Sequence, residues 1–189
     1  CPYFWPIGNR YIFLFFSHTT GSQYLLGDYN KEEHCFYPTF HGRFNFMSFL
    51  PGGVHAPSAT SDGKGGVIVI HNMHTGKKSP SWRGITTLPR KLTLDKCDTI
   101  NIQPYGDYKS LRTHHQHIDK THLPANKEII IDNIQGNALE IKAEINIKSS
   151  PMIEMNVLRS PDKEEFTSIK FFKDRGAVSY THIRAHETK

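Results

Sequence analysis

The sequence predicts an all-β protein, and three observations carry that prediction. Short apolar or alternating runs recur about every 8–12 residues, which is the strand spacing of a sandwich, a barrel or a propeller. Helical periodicity is almost absent from the 189 residues. Fourteen glycines and eleven prolines interrupt the chain often, as the turns between many short strands require.

The first strands are predicted near the start of the chain. The run YIFLFF (11–16) is apolar and aromatic, which is typical of a buried strand. A turn-like Thr-Thr-Gly separates it from SQYLLGDY (22–29), so we expect the two strands to form a hairpin. Extended structure resumes in HCFYP and ends at Pro38.

Three further strand regions follow before residue 105. The glycine-rich turn 62–66 introduces GGVIVIHNM (65–73), a second apolar run of strand length. GITTLPRKLTL (84–94) has two β-prone halves around Pro89, which interrupts the ladder locally. TINIQP (99–104) completes the series.

Residues 105–127 are polar and lack apolar alternation, so they are predicted to be a linker. After them, LEIKAEINI (139–147) alternates apolar and charged or polar residues with a period of two, the pattern of a half-exposed antiparallel strand. EIIIDNI (128–134), MIEMNVL (152–158) and FTSIKFF (166–172) are predicted strands as well. Residues 128–176 are therefore expected to form a β-sandwich, and residues 177–189 an unpatterned, disordered or unrelated tail.

Composition narrows the classes of function. The net charge of +5 is spread along the chain without a dense basic patch, which indicates a solvated surface and no nucleic-acid partner. No apolar run approaches the ~20 residues that cross a bilayer, so no membrane partner is predicted. Three well-separated cysteines argue against a disulfide framework or a zinc site. In THHQH, His115 and His117 would share one face of a strand, but no third ligand follows from spacing, so neither metal nor cofactor is predicted.

The acidic residues give little sign of catalysis. Glycosidases need two carboxylates facing each other across a bond. The candidate aspartates all lie in turn-like, polar surroundings that indicate solvated turns: Asp28, Asp62, Asp95, Asp98 and Asp107. No phosphate-binding loop, nucleophile elbow or zinc-protease motif occurs. The residues alone therefore indicate an all-β, two-domain chain from a ligand-binding or hydrolytic protein.

Two stretches carry a resemblance to glycoside hydrolase family 32, which contains invertases, β-fructofuranosidases, levanases and inulinases. The opening CPYFWPIGNRYIFLFFSHTTGSQYLLGDY resembles the segment that follows the Glu-Cys-Pro motif of that family. SWRGITTLPRKLTL (81–94) is similar, nearly position for position, to the stretch that closes the family's propeller. INIQPYGDYKSLR resembles its usual continuation, and the second half resembles the family's C-terminal β-sandwich.

The resemblance implies a partial five-bladed β-propeller followed by a β-sandwich, truncated at both ends. Residues 1–104 would be the last blades, 105–127 a linker, 128–176 a partial sandwich and 177–189 the tail. The partner would be a fructose-containing sugar, sucrose or a fructan. Cleavage in the family retains configuration and uses an aspartate nucleophile, a glutamate acid/base and a second aspartate. The glutamate would directly precede Cys1, and none of the three motifs is present, so we expect this piece alone to be inactive.

Three residues remain as candidates to line the sugar pocket. Trp82 offers an aromatic face for a sugar ring, or else serves as a core residue that closes a blade. His55 lies in FLPGGVHAPSA (49–59), where the family usually has an aromatic residue, and otherwise is a structural turn histidine. His18 follows a predicted central strand and is otherwise an exposed loop residue. A fructosyltransferase, a non-catalytic carbohydrate-binding protein of the same fold and a general interaction module stay open as alternatives, as does the localisation.

Overall fold

The computed structural model describes residues 2–45, 53–74, 80–82 and 84–184. Its regular structure in these ranges is β-strand apart from one 3-10 turn, Tyr108–Leu111, so the all-β prediction is confirmed. The chain divides into two compact units, Cys1–Leu111 and Arg112–Lys189. The division falls inside the segment predicted to be a linker. Cys1 and residues 49–52 of FLPGGVHAPSA lie outside the described residues.

The first sheet is a four-stranded antiparallel meander. Its strands, in spatial and chain order, are β1 (Tyr3–Ile7), β2 (Arg10–Ser17), β3 (Gly21–Asn30) and β4 (Cys35–Arg43). The predicted end at Pro38 is wrong, because β4 is an edge strand, where proline is tolerated. The predicted hairpin is confirmed, because β2 and β3 pair from Tyr11 opposite Gly27 to Ser17 opposite Gly21. The pairing of β3 with β4 shifts register after Leu26, where Thr39 of β4 is the extra residue, and a Cβ on Gly27 would lie 2.2 Å from the carbonyl oxygen of Tyr37.

The second sheet is built around one strand that pairs with three others. Its members are β5 (Val54–Ser61), β6 (Val67–His74), β7 (Gly84–Thr86), β8 (Arg90–Leu94) and β9 (Ile100–Pro104), in the order β5-β6-β8-β9 with β7 also on β6. The glycine-rich turn joins β5 to β6, as the sequence predicted. Strands β7 and β8 share the same edge of β6, which confirms two β-prone halves around Pro89.

The two sheets of the first unit enclose its hydrophobic core. Alternate residues of β2 and of β6 point to this core, as the period of a strand requires. The fully buried members from the first sheet are Ile7, Ile12, Leu14 and Leu26, and those from the second are Val67, Val69 and Leu92. Two hydrogen bonds also join the sheets. The Trp5 indole donates to the carbonyl of Ala59 at 3.2 Å, and the Gly8 amide donates to the carbonyl of Gly65 at 2.8 Å.

The second unit contains one antiparallel sheet of three strands, β10 (Met152–Val157), β11 (Glu165–Phe172) and β12 (Ala177–Arg184). The strands predicted at 152–158 and 166–172 are confirmed. The assignment of 177–189 to a tail is wrong for residues 177–184, because β12 pairs along the whole of β11. Val178 and Tyr180 remain 60% and 73% exposed, so backbone pairing, and not burial, holds this strand. A hydrophobicity pattern does not detect that kind of strand.

The prediction of strands at 128–134 and 139–147 is wrong, since neither range forms a hydrogen-bonded strand in the structure. The predicted apolar face of the second range is nevertheless present. Ile141, Ala143, Ile145 and Ile147 line a groove of about 390 Å³ together with Ile153, Met155 and Phe171 of β10 and β11. The alternation thus identified which side chains share a face, whereas pairing depends on a neighbouring strand that a local pattern cannot supply.

Candidate functional site

Two of the three predicted pocket residues meet on the ring of Phe16. The His18 ring lies 5.0 Å from the Phe16 ring, centroid to centroid, and is nearly perpendicular to it. The His55 ring lies 6.0 Å from the same phenyl group at 62°. We call Phe16, His18 and His55 the histidine cluster. The sequence suggested the two histidines separately and missed Phe16, because β2 ends at Ser17 and His18 lies in the turn, where the period of a strand no longer applies.

The tight turn between β2 and β3 places His18. Ser17 pairs with Gly21, which has a φ of +76°, and the residues between them form the turn. The Thr19 amide donates to the Ser17 hydroxyl at 3.2 Å, and the two hydroxyl oxygens lie 2.9 Å apart. The turn is therefore fixed by its own side chains, and it holds the exposed His18 at the end of the first sheet.

The start of β5 places His55. The Asn45 side chain donates to the Val54 carbonyl at 2.5 Å and accepts from the Val54 amide at 3.0 Å. Just beyond His55 the pairing with β6 shifts register before Ser58, and Ala56 has a φ of +43°. A bulge of this kind redirects the side chains beside it. His55 thereby reaches Phe16 of the other sheet.

A third histidine, His71, lies next to this cluster and was missed by sequence reasoning. It is on β6, adjacent to the residue that pairs with His55, and it is 1% exposed. Neither ring nitrogen has a hydrogen-bond partner among the described residues. The Phe44 ring packs against it at 5.0 Å. Its spacing of two from Val69 and four from Val67, which are core residues, was the signal for its burial.

The environment of His71 keeps it neutral. Burial lowers the pKa of its imidazole to about 4, with smaller contributions from the positive charge of Arg90 and from His55. A neutral imidazole has one N–H donor and one acceptor, and burying both without partners costs free energy. The ring therefore presents two hydrogen-bonding atoms that no described residue satisfies.

The block 84–94, which carried the family resemblance, adjoins this histidine. The Thr87 hydroxyl accepts from the His71 amide at 3.0 Å, and the Thr87 amide donates to the His71 carbonyl at 2.8 Å. Pro89, which lacks an N–H, follows in the gap between β7 and β8 and accepts from the Tyr105 amide at 2.9 Å. The block thus completes the hydrogen bonding of the β6 backbone beside the buried ring.

Trp82 does not join the histidine cluster. It lies outside any strand, two residues before β7, and is 49% exposed. Its ring makes no aromatic contact with another described residue. Gly84, the first residue of β7, pairs with His74, the last residue of β6. Trp82 therefore lies just beyond the end of the second sheet at which β5 begins. The prediction of a core tryptophan closing a blade is not supported by its exposure.

Three candidate aspartates of the first unit are paired with cations. Arg10 binds both Asp28, at 2.8 Å, and Asp98. The side chain of Asp62 is 2% exposed and lies 2.5 Å from the Lys91 ammonium. The Lys91 hydrogen bond, followed by the amides of Lys64 and Gly66, lowers the pKa of Asp62 to about 2.

Asp95 caps its own turn by accepting from the amides of Cys97 and Thr99 at 2.8 and 2.9 Å. Asp62 and Asp95 thus lie in turns, as predicted, but the prediction that Asp62 is solvated is wrong, because its side chain is buried against Lys91. Asp28, by contrast, lies in β3 and not in a turn.

Ligands for a metal ion do not converge within the described ranges. No group of three or more His, Cys, Asp or Glu side chains there is arranged to hold one. THHQH lies outside any strand, and the His117 ring is 3.5 Å from the Asp119 carboxylate. The strand geometry that would have aimed His115 and His117 at one ion is therefore missing.

The histidine cluster offers an aromatic ring and imidazole nitrogens at one end of the first unit. That set can pack against C–H groups and exchange hydrogen bonds with hydroxyls, but it contains no activated nucleophile. No protein-family model matches this chain, and a search of curated proteins also found no match. Across the described part of the chain, no helix is long and apolar enough to cross a membrane.

Proposed function

We propose that this chain is part of a glycoside hydrolase that cleaves β-fructofuranosyl linkages of sucrose or fructans. Its first unit would form one wall of the sugar pocket at the histidine cluster. The observation that carries this proposal is the convergence of His18 and His55 on Phe16, since both were selected as pocket residues from separate stretches of sequence. The resemblance of SWRGITTLPRKLTL to family 32 supplies the substrate class.

The architecture supports the same proposal at a coarser level. Two successive antiparallel sheets of four or five short strands, packed face to face, fit two blades of a β-propeller. In the second unit, the apolar residues of 141–147 facing β10 and β11 fit two layers of a β-sandwich. We infer a partial five-bladed propeller followed by a partial sandwich.

The proposed chemistry assigns binding, and not bond cleavage, to this chain. Phe16 would pack against the C–H face of a fructosyl unit, while His18 and His55 exchange hydrogen bonds with its hydroxyls. Retaining hydrolysis needs a nucleophile and an acid on opposite sides of the linkage. Asp28 and Asp98 form ion pairs with Arg10, and Asp62 forms an ion pair with Lys91, so none of these three carboxylates is free to act as the nucleophile or the acid. This piece alone is therefore expected not to release fructose.

A non-catalytic carbohydrate-binding protein of the same fold is the second candidate. The engagement of Asp28, Asp62 and Asp98 in ion pairs favours it, because a binding protein needs no free carboxylate pair. The two candidates differ in the rest of the polypeptide from which the chain derives. A transcript that encodes the three family carboxylates in one frame with this chain supports the hydrolase, and replacement of those residues supports the binding protein.

Calorimetric titration of residues 1–189 with a fructo-oligosaccharide tests the site itself. His18→Ala and His55→Ala are each expected to weaken binding roughly tenfold, the effect of losing one hydrogen bond or ring contact in a pocket. His34→Ala is the matched control, because His34 follows the opposite end of β3 and bonds only to Tyr29. Undiminished binding by both cluster variants, or no binding by the parent chain, would refute the proposed site.

A further inference from the structure

The segment 139–147 has the features of a strand without a partner. Its apolar residues face the groove over β10 and β11, and Ile141 and Ile145 are still 48% and 44% exposed. Among the described residues, the backbone of 141–147 makes a single backbone hydrogen bond, from the Ser150 amide to the Ile147 carbonyl. An extended backbone with unmade hydrogen bonds and an apolar face is a template for pairing with another strand.

The sequence of this segment is complementary to itself. If two copies run antiparallel with Ala143 opposite Ala143, Lys142 of each copy lies opposite Glu144 of the other. The apolar pairs are then Ile141 with Ile145 and Leu139 with Ile147. Residue pairs directly opposite in an antiparallel ladder contact each other, and opposite charges there are favourable.

Other registers are penalised by the same charges. A shift that places residue 142 opposite itself brings two lysines together and sets Glu140 against Glu144. A shift that places residue 144 opposite itself brings two glutamates together. A slip by one position turns apolar side chains to the charged face. The pattern therefore selects the register centred on Ala143.

The surroundings of the segment suit this pairing. Lys142 and Glu144 form no ion pair with another described residue, so both charges are available. Glu140 is held by Arg112 at 2.6 Å, and in the selected register it faces the neutral Asn146. The groove includes Ile153 and Met155 of β10, which is the edge strand of its sheet. The segment thus lies over the edge strand of the sheet.

We propose that residues 139–147 pair with the same residues of a second copy of this chain, antiparallel and centred on Ala143. The expected product is a two-fold dimer of the whole chain, because each segment supplies both halves of every contact. The proposal is independent of sugar binding, since it involves the second unit only.

Charge variants test the partner and the register together. Sedimentation equilibrium of residues 1–189 should give a dimer, and Lys142→Glu should weaken it roughly tenfold by replacing two attractive pairs with two repulsive ones. Adding Glu144→Lys to that variant should restore the dimer. Lys127→Glu makes the same charge change outside the segment and should have no effect. A monomeric parent chain, or a dimer unaffected by Lys142→Glu, would overturn the proposal.

A cysteine placed on the two-fold axis provides the second measurement. Ala143→Cys, with the native cysteines replaced by serine, should form a disulfide-linked dimer on mild oxidation because the two residues lie opposite each other. Asn137→Cys in the same background should remain mostly uncrosslinked. Equal crosslinking of both variants, or none for Ala143→Cys, would refute the register.

Discussion

Acidification should destabilise the first unit through His71. The folded unit holds this imidazole neutral with a pKa of about 4, whereas in the unfolded chain the pKa is the ordinary 6.5. Between these values the unfolded state binds a proton that the folded state does not. The free energy of unfolding therefore falls as the pH is lowered through this window.

The size of the effect follows from the gap between the two pKa values. One pKa unit corresponds to about 1.4 kcal/mol, so His71 should remove about 2 kcal/mol of stability by pH 5. The loss should reach about 3 kcal/mol at pH 4. Such a loss is a large fraction of the ~5–15 kcal/mol that stabilises a typical domain.

Urea unfolding between pH 7.5 and 4.5 measures this loss. The fluorescence of Trp5, whose indole bonds to Ala59 across the two sheets, reports unfolding of this unit. His71→Leu removes the titrating group and two unpaired polar atoms, so the variant should be at least as stable as the parent at pH 7. Below pH 6.5 the difference in free energy of unfolding between the variant and the parent should grow in favour of the variant. His34→Leu, at an exposed position, is the control and should show the parent's pH dependence, with a constant loss of stability because Leu disfavours the φ of +54° at this position. Parallel stability curves for the parent and His71→Leu would refute the assigned environment of His71.

Two further predictions concern the sheets of the first unit. Gly27→Ala should cost about 3 kcal/mol and lower the urea midpoint, because its Cβ would lie 2.2 Å from the Tyr37 carbonyl oxygen; an unchanged midpoint would exclude the bulge geometry. Asp62→Asn should lower the midpoint at pH 7 by removing the charge that Lys91 pairs with. The parent's advantage over it should be complete above pH 3.8 and lost as the pH falls towards 2, since the pKa of Asp62 is depressed in the folded state; an advantage that persists at pH 2 would contradict this pairing.

Local sequence patterns predicted most of the first unit. Apolar runs such as YIFLFF and GGVIVIHNM form buried strands because β2 and β6 each have neighbours on both sides and face the core. Pro89 predicted the gap between β7 and β8, since proline lacks the N–H that a ladder needs. The same patterns failed in the second unit, where the alternation of 139–147 fixed a face but not a pairing partner.

The candidate site was predicted only in part, for a related physical reason. His18 and His55 were selected from the family resemblance, but their meeting on Phe16 depends on how the two sheets pack. The burial of His71 likewise arises from contacts with Phe44 and with β5, which are distant in sequence. Trp82 was selected for its ring chemistry, and no local signal revealed that its ring contacts no aromatic ring among the described residues.

NMR titration of residues 1–189 with a fructo-oligosaccharide tests the proposed function most directly. The aromatic proton resonances of Phe16, His18 and His55 should shift together with one dissociation constant, while those of His34 should not move. A maltose oligosaccharide of equal length should leave the spectrum unchanged. Shifts confined to other residues, or the same response to both sugars, would contradict a fructoside site at the histidine cluster.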